Sequence, residues 1–481
     1  MSNNKSLLSG TFKYSLSAFS RLFLFLLLIV AARYLGAEDF GRFSFAMAFV
    51  FLFDPILDPG LYHALIREIA RKKEQSQKFL SHALTWKLIA APIVFLLVFM
   101  WVNIVQNSQK TIYAVYLIAI SFFLKSFNDA FRSALLAHEF FGLDSICTTV
   151  ERLFLLIFGF LVLFNGGGLL AFCWVFIMAR LMSLIVKVIL VKYQICKVTL
   201  GFDLGFIKHL LIIAVPIGAL YITLNIYNYI DTVMLSTFKT DIEVGWYNAS
   251  YKIYEGLLIF PVIIGTVFMP RLSQLYKINR EAFNNLFLKG LKYIILISIF
   301  VVLNGIVLSD KIVSICFGSQ YKESIISLNV LLVGILFVFS INFLQTALIS
   351  MNRQKIVLYL ALSGLILNIA LNLYLIPKYS YIGAAFATII VEFLIFVSLL
   401  VYTHKVDVKI LWWRLIGKPL TALLISALVF WSLFPLNIVY LRLVPVNLCL
   451  IALLFFMRVF DKEELELFYN LRFPIGISWK K

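Results

Sequence analysis

Charged side chains lie inside the apolar stretches of this chain. Six of them are cations, namely Arg21, Lys87, Lys125, Arg152, Arg180 and Lys252. A charge at the centre of a bilayer costs roughly 2.5–3.5 kcal/mol on insertion scales, so such groups are expected to line a hydrated cavity or to pair with each other. Arginine grips phosphate through two parallel hydrogen bonds, and lysine supplies a point charge. The six cations are therefore candidates for binding an anionic cargo.

Two of these cations have an acid about one helical turn away. Lys125 and Asp129 are four residues apart, and Lys252 and Glu255 are three residues apart. Both spacings place side chains on one helix face, so a direct ion pair explains these charges without any ligand.

Arg21 and Arg180 have no opposite charge within reach on their own helices. They are the leading candidates for ligand contact, and the alternative is pairing across helices with Asp54 or Asp58. We expect alanine at either arginine to abolish transport without preventing membrane insertion.

Acids and prolines inside the spans suggest two further roles. A titratable acid in a cavity can couple transport to protons or sodium ions, and the candidates are Asp54, Asp58, Asp231 and Glu392. Proline removes a backbone hydrogen bond and tends to kink a helix. The hinge candidates are Pro55, Pro59, Pro216 and Pro261, with plain helix bending as the alternative.

The two halves of the chain differ in charge. The first six spans hold more cations than acids, whereas spans seven to twelve hold Lys252 against Asp231, Glu255 and Glu392. A cationic wall in the first half suits a phosphate or an acidic sugar. Tyrosines and asparagines crowd spans seven and eight, where they suit sugar faces or, alternatively, an interfacial aromatic belt and helix–helix hydrogen bonds.

The composition excludes a water-soluble globule. Apolar residues make up 62% of the chain and charged residues only 14%, and the mean hydropathy is +0.97. Soluble domains contain about 45–50% apolar and about 25% charged residues. The net charge of +18 is explained by cytoplasmic loops, which collect Lys and Arg, rather than by nucleic-acid binding. The five cysteines are scattered without a CxxC pair, so neither a disulfide framework nor a metal site is expected.

Apolar runs of roughly 20 residues each cross a bilayer and predict about fourteen transmembrane helices. The predicted spans are 12–32, 42–66, 79–103, 112–136, 145–165, 168–191, 207–237, 246–270, 285–308, 324–349, 356–376, 380–403, 412–434 and 436–457. With the N-terminus inside, 28 Lys and Arg residues fall on the inner side and 8 on the outer side, and the remaining 6 of the 42 lie within spans. This bias predicts cytoplasmic N- and C-termini. The first apolar run is interpreted as a membrane helix rather than a signal peptide, because further spans follow at once.

An internal repeat divides the chain. The segment 41–46 (GRFSFA) aligns with 245–250 (GWYNAS), and the flanking spans align too. Such a two-half plan is common in transporters. We therefore predict an all-α fold with two pseudo-symmetric six-helix lobes, at 1–200 and 201–406, followed by two C-terminal helices at 407–460 and a cytoplasmic tail at 461–481.

Catalytic signatures are missing from the sequence. It contains no Walker loop, no GxSxG, no HExxH and no Cys/His cluster. We therefore expect neither an enzyme nor a cofactor, and transport driven by an ion gradient or by the cargo gradient.

Four segments together resemble a known family. They are ARYLGAEDFGRFSFA, DPGLYHALIREIARKKE, DTVMLSTFKTDIEVGWYNASYKIYE with the following FMPRLSQLY, and LNLYLIPKYSYIGAAFATIIVEF. The chain thereby resembles Wzx-type polysaccharide biosynthesis proteins of the multidrug/oligosaccharidyl-lipid/polysaccharide exporter superfamily. The resemblance implies fourteen helices and a flippase that moves undecaprenyl-diphosphate-linked oligosaccharide, such as O-antigen or capsule units, to the periplasmic leaflet of the bacterial inner membrane by alternating access. It also implies a cationic lumen, to which Arg21 corresponds most directly and Lys125, Arg152 and Arg180 more loosely.

Other functions fit parts of the pattern. A lipid II flippase and a cation-coupled small-molecule exporter share the expected fold, although the cationic first half argues against a drug exporter. A membrane-embedded glycan polymerase or ligase is disfavoured because no outer connection is long enough to carry a catalytic domain. Besides membrane lipids, the candidate partners are a polymerase and a chain-length regulator of surface polysaccharide assembly.

Overall fold

The computed structural model describes residues 21–106, 108–406, 416–432, 439–457 and 459. These residues form helices and turns, and no strand is found among them. Lipid offers no hydrogen-bond partner to a backbone, so a helix, which satisfies its own amides, is the expected outcome for long apolar runs.

Fifteen α-helices and two short 3₁₀ turns make up the described chain. In chain order they are α1 (Arg21–Phe51), α2 (Asp54–Leu57), α3 (Leu61–Arg71), η1 (Lys73–Gln75), α4 (Ser76–Val105), α5 (Gln109–Ala137), α6 (Phe141–Phe164), α7 (Gly168–Gln194), α8 (Leu204–Phe238), α9 (Asp241–Leu257), α10 (Ile259–Ile278), α11 (Arg280–Cys316), η2 (Ser319–Tyr321), α12 (Ser324–Ser350), α13 (Gln354–Val406), α14 (Lys418–Ser432) and α15 (Val439–Phe456).

Helix lengths match a membrane. Within the described ranges, nine helical stretches are long and apolar enough to cross a bilayer, and two shorter apolar helices follow them. At 1.5 Å per residue the 53 residues of α13 would extend about 80 Å, more than twice a hydrocarbon core of roughly 30 Å. It turns back at Ser380, whose φ is 51°. Helix α1 is interrupted in the same way at Gly36, whose φ is 80°. The total of fourteen spans stays a prediction.

The chain separates into two compact units. The first comprises Met1–Gly256, Ile312–Leu331 and Lys355–Val391, and the second comprises Leu257–Lys311, Leu332–Gln354 and Glu392–Lys481. The predicted lobe boundaries at residues 200 and 406 stay a prediction.

The first unit has a core of aliphatic and small side chains. Leu61 and Leu65 of α3 are fully buried against Ala83 of α4, Ala134 of α5 and Ala214 of α8. Small residues let these helices approach closely, as is typical of helix packing in membranes. This packing fixes the helices that carry the buried charges described below.

The second unit joins its late helices by polar and aromatic contacts. Asn304 of α11 and Asn447 of α15 donate to each other's amide oxygens at 3.0 and 2.8 Å. Phe343 of α12 packs edge-on against Phe268, with ring centroids 5.5 Å apart, and its ring is tilted against that of Phe287, with centroids 5.8 Å apart. These contacts tie α10, α11, α12 and α15 together.

The internal repeat is visible in two helix ends. Helix α5 is followed by Glu139 with φ 65°, and α12 is followed by Asn352 with φ 60°. The amide after each of these residues donates to the carbonyl five residues earlier, at 2.9 and 2.8 Å. This is the same left-handed helix cap, formed by residues 213 positions apart, and it supports the predicted two-half plan.

Candidate functional site

A buried ion pair joins Lys87 of the third predicted span to Asp58, which lies towards the end of the second. Lys87 of α4 is 0% exposed, and its Nζ donates to Asp58 Oδ2 at 2.7 Å and to Ser126 Oγ at 2.8 Å. Asp58 Oδ1 accepts from the backbone amides of Gly60 and Tyr62, at 3.2 and 3.1 Å. The pair thus holds the break between α2 and α3, and both charges are engaged structurally in this conformation.

The two ion pairs expected from helical spacing are confirmed. Lys125 Nζ lies 3.0 Å from Asp129 Oδ2 on α5. Lys252 Nζ lies 2.6 Å from Glu255 Oε2 on α9. Lys125 also lies over the ring of Phe122, 5.2 Å from its centroid.

Two further ion pairs were not predicted. Arg132 Nε at the end of α5 lies 3.1 Å from Asp144 Oδ1 in the first turn of α6, and Lys187 Nζ of α7 lies 3.8 Å from Glu151 Oε2 of α6. Both join neighbouring antiparallel helices, and the only sequence signal is the short connection that makes those helices adjacent. They add one acid, Asp144, and one cation, Lys187, to the charges of the first half, so the cation surplus there is unchanged.

Arg180 of α7 stands apart from these pairs. It is 9% exposed, forms no ion pair with a described carboxylate, and its Nη1 has no hydrogen-bond partner among the described atoms. Its guanidinium lies 5.3 Å from the ring centroid of Phe122 and 6.0 Å from that of Phe176. A desolvated guanidinium is strongly disfavoured unless its donors are met. Arg180 is therefore suited to an anionic partner.

Other buried polar atoms on α5, α6 and α7 also lack a hydrogen-bond partner among the described atoms. Buried oxygens without a hydrogen-bond partner in the described chain include Ser121 Oγ, Asn128 Oδ1, Thr148 Oγ1 and Ser183 Oγ. An unmet buried polar group costs about 1–3 kcal/mol. Asn128 is fixed beside Arg180, because its Nδ2 donates to the Arg180 carbonyl at 2.8 Å. Helices α5, α6 and α7 therefore carry buried oxygens that lack the donors a bound polar group would supply.

The last two predicted cations, Arg21 and Arg152, lie on α1 and α6. Arg21 begins α1, and its side chain lies outside the described residues. Arg152 is half-buried on α6 and is not free of partners.

Asp231 forms a second, separate polar centre. It is 4% exposed and accepts from Tyr247 Oη at 3.0 Å, Thr388 Oγ1 at 2.8 Å and Asn372 Nδ2 at 2.6 Å. Asn372 also donates to Asn368 Oδ1 at 3.0 Å. Within the described residues no cation pairs with Asp231, so neutral groups of α9 and α13 enclose the carboxyl. Carboxylate, hydroxyl and amide oxygens are ligands that hard cations prefer.

The contacts around Asp231 decide between the two interpretations for one tyrosine of span eight. Tyr247 is 1% exposed and its hydroxyl donates to Asp231, which is the helix–helix hydrogen-bond alternative rather than a sugar face. Asn372 and Thr388 were not predicted, because each lies on a helix more than 140 residues away in sequence. Their signal is being polar in an otherwise apolar span, which many helix-packing residues share.

Asp54 and Glu392 are the other two predicted coupling acids. Asp54 begins α2 and, in the part of the chain that the structure describes, forms no ion pair. Glu392 is 4% exposed and belongs to the second unit.

The predicted hinge prolines fall at different kinds of position. Pro55 is in the first turn of the short helix α2, and Pro59 lies between α2 and α3. Pro261 follows the break between α9 and α10 by two residues. Pro216, in contrast, lies inside the continuous helix α8. The α2 interruption and the α9–α10 break lie at equivalent places in the two halves, 204 residues apart.

Known proteins share this sequence and fold. The chain is 26% identical over 373 residues to a protein named as an O-antigen transporter from Shigella flexneri, covering 74% of this chain and 87% of the relative. It is 24% identical over 390 residues to the capsular polysaccharide biosynthesis protein CapF of Staphylococcus aureus, covering 79% of this chain and 94% of the relative.

The structural likeness extends over nearly the whole chain. The lipid II flippase MurJ, in an inward closed conformation, superposes with a TM-score of 0.75 at 18% identity, covering 96% of this chain and 99% of that one. The predicted all-α, multi-pass membrane fold is thereby confirmed. The MatE family model matches residues 216–374, within the second half.

The polysaccharide biosynthesis protein model matches residues 7–276, more than half of the chain. That range includes Lys87, Lys125, Arg180 and Asp231, four of the charged residues described above. The chain therefore belongs to the polysaccharide biosynthesis protein family.

Proposed function

We propose that the protein is a flippase that moves a lipid-linked oligosaccharide, carried on a polyprenyl diphosphate, from the cytoplasmic to the outer leaflet. The observation that carries this proposal is the buried guanidinium of Arg180, which forms no ion pair with a described carboxylate and whose Nη1 has no hydrogen-bond partner among the described atoms. Membership in the family, and similarity to proteins named for O-antigen transport and capsule synthesis, support this class of cargo.

Two cations share one aromatic ring at the proposed diphosphate site. Lys125 Nζ and the Arg180 guanidinium lie 5.2 and 5.3 Å from the ring centroid of Phe122. Arg180 offers planar donors for bidentate contact with phosphate. Lys125 Nζ lies 3.0 Å from Asp129 Oδ2. When the cargo binds, Lys125 leaves that carboxylate and contacts the second phosphate group of the diphosphate. Arg21, Lys87, Arg152 and Lys252 are proposed as further cations along the path of the head group.

Asp231 is proposed as the coupling group. Its carboxyl faces only neutral donors among the described residues, so occupation by a proton or a sodium ion neutralises it without displacing a salt bridge. Coupling by Asp54, Asp58 or Glu392 and hinge roles for Pro55, Pro59, Pro216 and Pro261 belong to the same proposal. The lobes are proposed to divide at residues 200 and 406.

The orientation follows from loop charge. Twenty-eight Lys and Arg residues on one side against eight on the other support cytoplasmic termini in a bacterial inner membrane. The cargo then enters from the side of Arg67 and leaves from the side of Gly36 and Asp241. A polymerase and a chain-length regulator are proposed to take over the flipped units.

A lipid II flippase is the second candidate, and the likeness to MurJ favours it. Both cargoes carry a diphosphate, so the cationic site alone does not separate them.

Deletion of the gene tests the proposal and distinguishes the two candidates. We expect lipid-linked repeat units to accumulate on the inner leaflet, with loss of surface glycan and restoration by the wild-type gene but not by Arg180→Ala. Accumulation of lipid II with normal surface glycan would instead support the second candidate. Normal distribution of both lipids would contradict flippase function.

A further inference from the structure

Two glycines at equivalent positions of the repeat bring α1 and α9 into backbone contact. A methyl group added at Gly41 would overlap the carbonyl oxygen of Asp241, and one added at Gly245 would overlap the carbonyl oxygen of Ala37. Gly245 follows Gly41 by 204 residues, and Asp241 follows Ala37 by the same 204. Each half therefore presents the same glycine to the same carbonyl of the other half. We name these four residues the glycine contact.

The glycine contact resembles a two-fold symmetric interface, in which the same surface patch of two copies meets itself. Here the two copies are the equivalent segments of the two halves of the chain. Glycine is required on both sides because any Cβ atom would collide with backbone, which cannot rotate away as a side chain can. Close packing of helices through small residues in a membrane relies on van der Waals contact and has no hydrophobic driving force. The glycine contact is therefore tight in geometry but weakly held by packing alone.

An arginine clamp reinforces the contact on one side. Arg42 donates through Nε to Asp241 Oδ2 at 3.1 Å and through Nη1 to Asp39 Oδ1 at 2.8 Å, and its Nη2 bonds to Glu38. Lys110 Nζ supports Asp39 at 2.7 Å. Residues 42 and 246 are equivalent in the repeat, yet Trp246 donates to the Gln320 carbonyl instead, at 3.1 Å.

The clamp is accessible from one end of the helices. A cavity of about 490 Å³ lies beside it, lined by Gly36, Glu38, Asp39, Lys110 and Gln320 among others. Arg42 itself keeps 16% of its side chain exposed. Water can therefore reach the ion pairs, which makes the clamp reversible rather than a permanent structural pair.

We propose that the glycine contact, clamped by Arg42 to Asp241, is the closed gate on the side from which the cargo leaves. The sidedness rests on the proposed function and orientation. Because both glycines must fit at once, adding a methyl group to either one prevents closure, and losing the clamp makes closure less favourable without blocking it.

Distance measurement between spin labels tests the gate without any cargo. The labels are placed at Tyr113→Cys and Phe238→Cys, two exposed positions of the first unit, after the five native cysteines have been replaced. We expect the wild-type background in lipid nanodiscs to show a short-distance population. Gly41→Ala and Gly245→Ala are each expected to lose that population. Gly205→Ala, where the added methyl would approach a carboxylate oxygen at no less than 3.2 Å, is the matched control and should keep it.

Two variants of the clamp provide a second test in case an alanine variant does not insert into the membrane. Arg42→Gln and Asp241→Asn add no atoms at the glycine contact and are expected to reduce the short-distance population in part. A wild-type distribution in both alanine variants, or in both clamp variants, contradicts the gate. Since the measurement needs no lipid-linked cargo, failure of the flippase proposal would appear separately, as normal glycan export after gene deletion.

Discussion

Asp231 and Asn372 are joined by a 2.6 Å hydrogen bond across 141 residues of sequence. The bond links α8 to α13, and Tyr247 and Thr388 complete the shell around the carboxyl. A buried acid held by neutral donors is stable whether it is charged and hydrogen-bonded or neutralised by a bound proton or cation. That property separates Asp231 from the ion-paired acids of the first half.

Asp231→Asn is expected to remove ion coupling while leaving the fold intact. The amide keeps the shape of the side chain and retains one oxygen for Tyr247 or Thr388, but it cannot bind a proton or attract a cation. We expect the thermal unfolding midpoint of wild type in detergent to rise with sodium concentration or with falling pH, and we expect Asp231→Asn to lose that rise.

The matched control is Asp203→Asn, at the exposed N-cap of α8. It changes one charge outside the membrane helices and should keep the ion response. An undiminished response in Asp231→Asn would place coupling elsewhere, with Asp54 and Glu392 as the next residues to test.

Lys87→Met is expected to destabilise the protein by about 3–5 kcal/mol, because removing one partner leaves a buried charge uncompensated. The uncompensated group is Asp58, which also holds the start of α3. Unfolding in denaturant should show the loss, and the double variant Lys87→Met/Asp58→Asn should recover part of it.

The comparison pair is Lys252 and Glu255, in which Glu255 is half-exposed. Lys252→Met should cost less than about 1 kcal/mol, since exposed pairs contribute little. Equal losses at the two lysines would show that the Lys87–Asp58 pair is not the buried anchor that its geometry indicates.

Asn447→Leu is expected to cost about 1–3 kcal/mol, because it leaves Asn304 Oδ1 without its donor. Replacing both asparagines by leucine should cost less than the single change, since no polar group is then left unmet. Double-mutant analysis of unfolding free energies measures this directly. Additive losses would mean that the reciprocal hydrogen bonds at 3.0 and 2.8 Å do not couple α11 to α15.

Arg21→Ala and Arg180→Ala are each expected to abolish glycan export while leaving membrane insertion intact. Neither arginine has an acid within reach along its own helix, and Arg180 forms no ion pair with a described residue. Surface glycan and membrane protein levels in complemented deletion cells provide the measurement. Arg21→Lys should retain more export than Arg21→Ala if charge matters more than the planar shape. Normal surface glycan in both alanine variants would contradict the proposal that these arginines form a cationic cargo-binding site.

Local interactions were predictable from the sequence, and distant ones were not. The Lys125–Asp129 pair follows from a spacing of four on one helix, and the multi-pass fold follows from long apolar runs. The Arg132–Asp144 pair requires knowing that α5 and α6 are adjacent and antiparallel. The shell around Asp231 requires the packing of α8, α9 and α13, which side-chain chemistry alone does not specify. The repeat was detected from Gly41 and Gly245, but only the structure shows that each glycine meets the other half.

Binding of a lipid-linked diphosphate to purified protein is the most direct test of the central claim, that Arg180 receives the phosphate groups. The probe is undecaprenyl diphosphate in nanodiscs, compared with undecaprenyl monophosphate. A hydrogen bond to a charged group contributes about 1.5–3 kcal/mol, so Arg180→Ala should weaken diphosphate binding by roughly 10- to 100-fold. Arg180→Lys should have a smaller effect, and monophosphate should bind wild type more weakly than diphosphate. Equal diphosphate affinity in wild type and Arg180→Ala would contradict the account.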